Sequence, residues 1–320
     1  MFNYSELKNH AAVLAQRSGD TTYEDDKIGI WINLSLEFLY GVYDYFPSLE
    51  DTHNFTSVDG TENYYMPKRF NKPMRIKDLT NDKEITILTE YEYVDSNVSN
   101  IADSTEGVPD VARFYGVKGI GLDISSSGTI VKVKSSSATE TTAVVVRVEG
   151  FVDSSRTILD FENITVPTTA SSTFVSGTKT FYDIIHVSKD RDSDGYITVA
   201  NSADTTLTIL SSIERVSEHR VLKLGLIPDA STYSYRIWFK KKFTKLVNAN
   251  DYPFVEADDF IIFNTAKIAL AQDKETMERA NQYDKWAKEA LNILLTNLQG
   301  KHGPSYQHKI TNVWANAHRS

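Results

Sequence analysis

Asp190-Arg191-Asp192-Ser193-Asp194-Gly195 is the stretch whose residue types and spacing come nearest to metal chemistry. Alternate aspartates with glycine in sixth place reproduce the first half of an EF-hand calcium loop, where carboxylates ligate the ion and glycine permits a sharp turn. The loop should close on a bidentate glutamate at its twelfth position, and Asn201 stands there between segments that read as strands. The half-complete match therefore favours a solvated hairpin loop with Gly195 at positive φ over a calcium site. A second cluster, Lys68, Arg69, Lys72, Arg75 and Lys77, is interleaved with Tyr64, Tyr65 and Phe70. Such a mixture can hold phosphates and stack bases, and it equally makes subunit contacts, where Arg and Tyr are favoured anchors. Lys240, Lys241 and Lys242 in WFKKKF read as guards of an edge strand.

Other chemistry is excluded by pattern. The seven histidines include no HxxxH pair, and there is no GxSxG elbow, no P-loop and no GxGxxG after a strand. Gly116, Gly119 and Gly121 stand in the wrong order for a dinucleotide loop and read as an ordinary turn. With no cysteine, disulfides, thiolate metal sites and cysteine nucleophiles are all absent. No carboxylate pair is singled out for acid–base work, so neither an enzyme nor a cofactor is expected. The formal net charge of −9 over 320 residues argues against general polyanion binding, which makes a protein–protein role for the 68–77 cluster the stronger reading. No apolar run approaches the ~20 residues of a membrane span, and MFNYSELKNH lacks a signal peptide's apolar core. A protein made in a cytoplasm, with no membrane partner, is the expectation.

The elements that must position these residues are helical at both ends and β between. Ser5 can cap a helix to about Gln16, and a second helix begins near Thr22 with Glu24, Asp25 and Asp26 in its first turn. Ile28, Trp31, Leu34, Phe38, Val42 and Tyr45 form its apolar stripe. Residues 48–81, polar and carrying Pro67 and Pro73, read as a long ordered loop. From Ile120 to Phe243 short β-branched and aromatic runs separated by Ser, Thr, Gly and Asp predict a sandwich or small barrel. After Pro253 an apolar stripe from Phe260 through Tyr283, Ala287 and Leu291 to Leu298 predicts one or two long helices, capped by Asp258 or Asp259. The predicted fold class is α+β: a helical bundle of N- and C-terminal helices with an inserted antiparallel β-sandwich or barrel. Its domains are 1–124, an inserted β domain 125–219, returning strands and helices 220–300, and a tail 301–320. Trp31, Leu34 and Phe38 are expected to pack directly on Tyr283, Ala287 and Leu291.

The tail carries Lys301, Lys309 and Arg319 and no acid, and Ile310, Val313, Trp314 and Ala317 repeat at i, i+3, i+4 and i+7. A basic segment with a latent amphipathic turn suits ordering on a partner's groove, with Lys309, Ile310, Val313, Trp314 and Arg319 as the contact residues.

Several segments together carry a resemblance: the N-terminal helix pair, Gly107-Val108-Pro109 followed by Tyr115, Leu226-Ile227-Pro228 with the tyrosine alternation after it, and NANDYPFVEADDF entering a long helix. Over roughly residues 1–125 and 220–300 the chain resembles the head-to-tail adaptor (connector) proteins of tailed bacteriophages, of the tail tubular protein A type. The resemblance implies a ring of about a dozen copies in the virion neck, assembled in the host bacterial cytoplasm. Its implied partners are the portal protein, a tail or nozzle protein below, and the DNA that passes through, with the C-terminal segment reaching into the portal. The competing class is a β-sandwich adhesin, carbohydrate-binding or decoration protein, which would leave the long helical ends unexplained.

Overall fold

The computed structural model describes residues 1–16, 27–43, 46–61, 63–89, 92, 106–124, 126–272 and 276–302. The chain divides into two units, Met1–Glu50 with Lys242–Ser320, and Asp51–Lys241.

The first unit holds four α-helices among the described residues: α1 Tyr4–Leu14, α2 Gly29–Val42, α3 Asp258–Leu270 and α4 Met277–His302. Asn3, not Ser5, caps α1. Its side chain accepts the Glu6 N–H at 2.9 Å while the Glu6 carboxylate accepts the Asn3 N–H at 2.8 Å, a reciprocal capping box. The acid-rich start expected near Thr22 lies outside the described residues. No side chain caps α3 at its Ala257 boundary. Leu7, Ala11, Ile32, Leu36, Leu39, Ile261, Leu291 and Leu295 share one apolar core.

Backbone contacts join the two ends of the chain. The N–H of Tyr4 donates to the Asp251 carbonyl at 2.8 Å, and Asn33 both donates to and accepts from the Leu246 backbone. α2 and α4 each pack on α3. Phe38 stacks on Phe260 at 6.0 Å, whereas Leu34, expected in the contact, is 48% exposed, and Tyr283 belongs to a separate small core with Ala266, Leu270 and Ala280. Asp284 of α4 accepts from Lys267 of α3 at 2.6 Å and from Lys288 of its own helix at 2.5 Å.

The second unit is built of strands: β1 Glu50–Thr56, β2 Asn63–Tyr65, β3 Phe70–Asp78, β4 Lys83–Leu88 and β5 Val111–Lys118; then β6 Thr129–Ser135, β7 Val144–Phe151, β8 Leu159–Val166, β9 Val175–Phe181, β10 Asp183–Lys189, β11 Ile197–Ala200, β12 Thr206–Leu210 and β13 Val216–Ser217; then β14 His219–Leu224 and β15 Ser234–Lys241. Seven of them make one sheet in the order β1-β15-β3-β4-β5-β14-β2. Its terminal strands come together where Phe55 of β1 meets Tyr64 of β2 at 4.8 Å between ring centroids, so the sheet is rolled around its own core of Phe70, Ile76, Leu222, Tyr235, Ile237 and Phe239. β6–β13 form two four-stranded sheets, β13-β10-β7-β8 and β12-β11-β6-β9, enclosing a valine- and isoleucine-rich core.

These fifteen strands in three sheets overturn the expected fold class. The chain is mostly β, not a helical bundle with a β insertion. Much of the error lies in residues 48–81, read as a loop but forming β1, β2 and β3. In β1 exposed and half-buried residues alternate along EDTHNFT, and few of them are β-branched, so the strand is set by its neighbours more than by local propensity. Pro73 is accommodated in the interior strand β3 because the ladder with β15 shifts register beside it. Gly116, at φ 53°, is likewise the unpaired residue where β5 bulges against Arg220 and Val221.

Lys240–Lys242 guard no edge, since β15 lies between β1 and β3 and Lys240 is buried. A protected edge is β8. There Asp160 accepts the Phe161 N–H at 2.8 Å and Lys179 donates to the Phe161 carbonyl at 2.9 Å, blocking backbone groups that another strand could use.

Leu39, fully buried in the helical core, and Leu34, on the exposed face of the same helix, give a direct test. Leu39→Ala should cost about 2–5 kcal/mol of unfolding free energy in a denaturant titration, and Leu34→Ala within about 0.5 kcal/mol of zero. Equal losses would contradict this packing.

Candidate functional site

The rolled sheet brings the two basic clusters together. In the ladder between β3 and β15, Lys77 lies opposite Arg236, Arg75 opposite Trp238, and Lys72 opposite Lys240. Ile76, Ile237 and Phe239 point into the core, so these pairs occupy the other face. Arg75 and Arg236 both lie over the Trp238 ring, with guanidinium carbons 5.4 and 5.8 Å from its centroid. The indole thus supports two cations, which draw on its π-face and sacrifice little side-chain freedom for each contact.

Two cations of this face meet carboxylates and a third meets an amide oxygen. Arg75 bonds Glu84 at 2.9 Å, Lys77 pairs with Asp82, and Arg236 bonds the Asn54 side chain at 2.9 Å. The remaining members of the cluster turn elsewhere. Lys68 bonds Glu214 at 3.0 Å and the Ile209 carbonyl, which ties it to the β12 side of the sandwich. Arg69 bonds Asp51 of β1 at 2.5 Å. Burial and the adjacent Arg69 charge together lower the pKa of His53 on the same strand, with Asp51 acting the other way. A phosphate backbone would have to displace carboxylates from Lys68, Arg69, Arg75 and Lys77. A partner protein of mixed charge could exchange such pairs without a net loss. The cation–indole–cation row is therefore a better protein contact than a nucleic-acid clamp.

The aspartate loop between β10 and β11 is held by protein groups at each carboxylate. Asp190 accepts the Val145 N–H at 2.9 Å and pairs with Arg191 at 2.8 Å; Asp192 bonds Arg215 at 3.1 Å; Asp194 accepts the Thr141 hydroxyl at 2.8 Å. Burial works against the Asp190 carboxylate, but the Arg191 and Val145 hydrogen bonds outweigh it and leave its pKa below the ordinary value. Among the described residues no group of three or more His, Cys, Asp or Glu side chains could hold a metal ion. Gly195 also departs from expectation, because its φ is not positive. It is required by close approach: an added Cβ would lie 2.6 Å from the Ser137 nitrogen.

Two buried charges beneath this loop were not singled out in the sequence. Glu140, 3% exposed, accepts the Asp194 N–H at 2.6 Å, the Gly195 N–H at 3.2 Å and the Ser135 hydroxyl. Lys189, 4% exposed, donates to the Ser193 hydroxyl and to the Ser211 and Ser212 carbonyls at 2.7, 2.8 and 2.5 Å. Glu140 thus occupies the organising role that an ion would play in a calcium loop. Burial lowers the Lys189 pKa, while Asp192, Glu140 and Glu214 raise it less. Neither residue has a local sequence signal, since each is an isolated charge in a Ser/Thr-rich stretch.

Comparison with protein-family models and with curated proteins returns no match for this chain. The proposed tail contact residues Lys309, Ile310, Val313, Trp314 and Arg319 lie outside the described residues.

Glu140→Gln should cost the sandwich about 2–3 kcal/mol, the value of hydrogen bonds to a buried charge, whereas millimolar calcium should leave the wild-type thermal midpoint unchanged. A midpoint that rises by several degrees with calcium and falls with chelator would restore the metal reading.

Lys189 makes a separate prediction. Its folded pKa lies below its unfolded one, so in the window between them the unfolded chain binds more protons and stability rises with pH. The unfolding free energy of wild type minus Lys189→Met should rise as pH approaches the ordinary lysine range. A flat difference would show that the folded ammonium is not destabilised by burial.

Proposed function

We propose that this chain is a structural virion protein, an adaptor that forms a homo-oligomeric ring between the portal and the tail of a tailed bacteriophage, without catalytic activity. The observation that supports this most is that the separate segments bearing the resemblance meet pairwise in space. The Gly107 N–H donates to the Ile227 carbonyl at 2.9 Å, and Glu106 bridges Ile227 in parallel, so the Gly-Val-Pro and Leu-Ile-Pro segments adjoin. Likewise the N-terminal helix meets the NAND segment through Tyr4 to Asp251 and Ser5 to Ala249. In this reading the Arg75–Trp238–Arg236 face makes contacts between subunits or with a neck protein, and DNA passes the ring without sequence-specific contact. Among the described residues no helix is long and apolar enough to cross a membrane.

The second reading, an adhesin or carbohydrate-binding decoration protein, draws on the β6–β13 sandwich and its exposed Phe161. Arg147 lies over that ring, 3.9 Å from its centroid, so a sugar would have to compete with a cation for one of its two faces. Light scattering and co-sedimentation discriminate the two. The adaptor reading expects a ring of about twelve copies, alone or on isolated portals, and no binding to a glycan array. A monomer or trimer that ignores portals and retains a glycan would overturn it.

A further inference from the structure

α4 carries apolar residues beyond the stripe that it buries. Its buried stripe runs through Ala280, Tyr283, Ala287, Leu291, Leu295 and Leu298. A second row, Trp286, Ala290 and Ile293, repeats at four- and three-residue steps beside it; Trp286 packs on Phe263 and Tyr283 and Ala290 on the helical core, while Ile293 is 64% exposed. Where this row meets the start of α3 there is a groove of about 360 Å3. Phe2, Phe260, Ala290, Ile293 and Leu294 form its apolar floor and Glu256, Asp258 and Asp259 its acidic rim.

The rim is only partly satisfied from within. Asp258 Oδ2 accepts the Phe2 N–H at 3.0 Å and lies 3.3 Å from the Met1 amine, which is also 3.5 Å from Glu256. Among the described residues Asp258 Oδ1 is buried without a hydrogen-bond partner, and Asp259 is exposed at the first turn of α3. A cationic, amphipathic segment with a large apolar side chain is the chemistry that would complete this groove.

We propose that the groove is the seat of the chain's own C-terminal segment, with Trp314 on the apolar floor and Lys309 and Arg319 on the acidic rim. The charges are complementary: residues 301–320 contain three basic residues and no acid. The reach is sufficient. Ile293 lies nine residues before the end of α4, about 14 Å along the axis, and residues 303–309 extend to as much as ~23 Å. Gly303-Pro304 is suited to reversing the chain there. Tethering also raises the segment's effective concentration, so a modest contact forms within one chain at dilutions where two chains stay apart. This seat belongs to the free chain, and a partner that takes up the tail must compete with it.

The absence of cysteine makes the test clean. Asn297→Cys lines the groove at an exposed position, and Ala315→Cys adjoins Trp314. In the full chain at low micromolar concentration, diamide should join this pair within one chain about tenfold faster than a control pair of Val13→Cys, exposed on α1, with Ala315→Cys. Adding Trp314→Ala, or Glu256→Gln with Asp259→Asn, should remove most of that advantage, as should high salt. Equal rates for the two pairs would overturn the proposal. So would a product of doubled mass, which would place the segment on a second copy.

Discussion

One core in this protein is made by the two ends of the chain, and that constraint governs the rest. Leu7, Ile32 and Leu39 from the first fifty residues are buried with Ile261, Leu291 and Leu295 from the last eighty. Each set buries its apolar stripe against the other. The intervening β unit must therefore start and finish at neighbouring positions, and it does so by pairing its first strand, β1, with its last, β15. The long-range backbone bonds from Tyr4, Ser5 and Leu246 are what make this closure specific, because hydrophobic contact alone would tolerate a slide of one helix along another.

Within the β unit a similar closure is repeated. The rolled sheet brings β1 and β2 together through Phe55 and Tyr64, so its core needs no covering helix. The sandwich enters between β5 and β14, which are themselves hydrogen-bonded neighbours, so that insertion too leaves and returns at one place. Lys118 to Asp183 and Lys68 to Glu214 join the two β bodies with ion pairs. Both pairs are partly buried.

The acidic composition has a structural use that a net charge hides. Many carboxylates serve as acceptors for turn N–H groups: Asp78 for Thr80 and Asn81, Asp153 for Thr157 and Ile158, Asp251 for Val247 and Asn248, and Glu140 for Asp194 and Gly195. Each clips a connection whose backbone donors would otherwise face water or remain unpaired. The pKa values of Asp153 and Asp251 are lowered chiefly by these backbone bonds. An aspartate-rich motif in such a chain is thus more informative about loop architecture than about ions, as the stretch from Asp190 to Asp194 illustrates.

The sequence alone determined where local periodicity dominates. α2, α3 and α4 follow three- and four-residue apolar spacing, and the sandwich strands carry β-branched alternation. It misjudged residues 48–81, where strands of polar residues are stabilised by neighbours far away in the chain, and with them the balance of the whole fold. It likewise placed Lys240–Lys242 on an edge, because whether a strand is flanked depends on pairing, which composition does not encode. Trp238 and its two arginines lie on strands separated by more than 150 residues, and Glu140 and Lys189 are single charges whose meaning is their burial. Local sequence specifies backbone preference through nearby sterics and hydrogen bonds. Which charges become buried, and which cations share an indole, is decided only when distant strands meet, since those energies exist solely in the assembled tertiary structure.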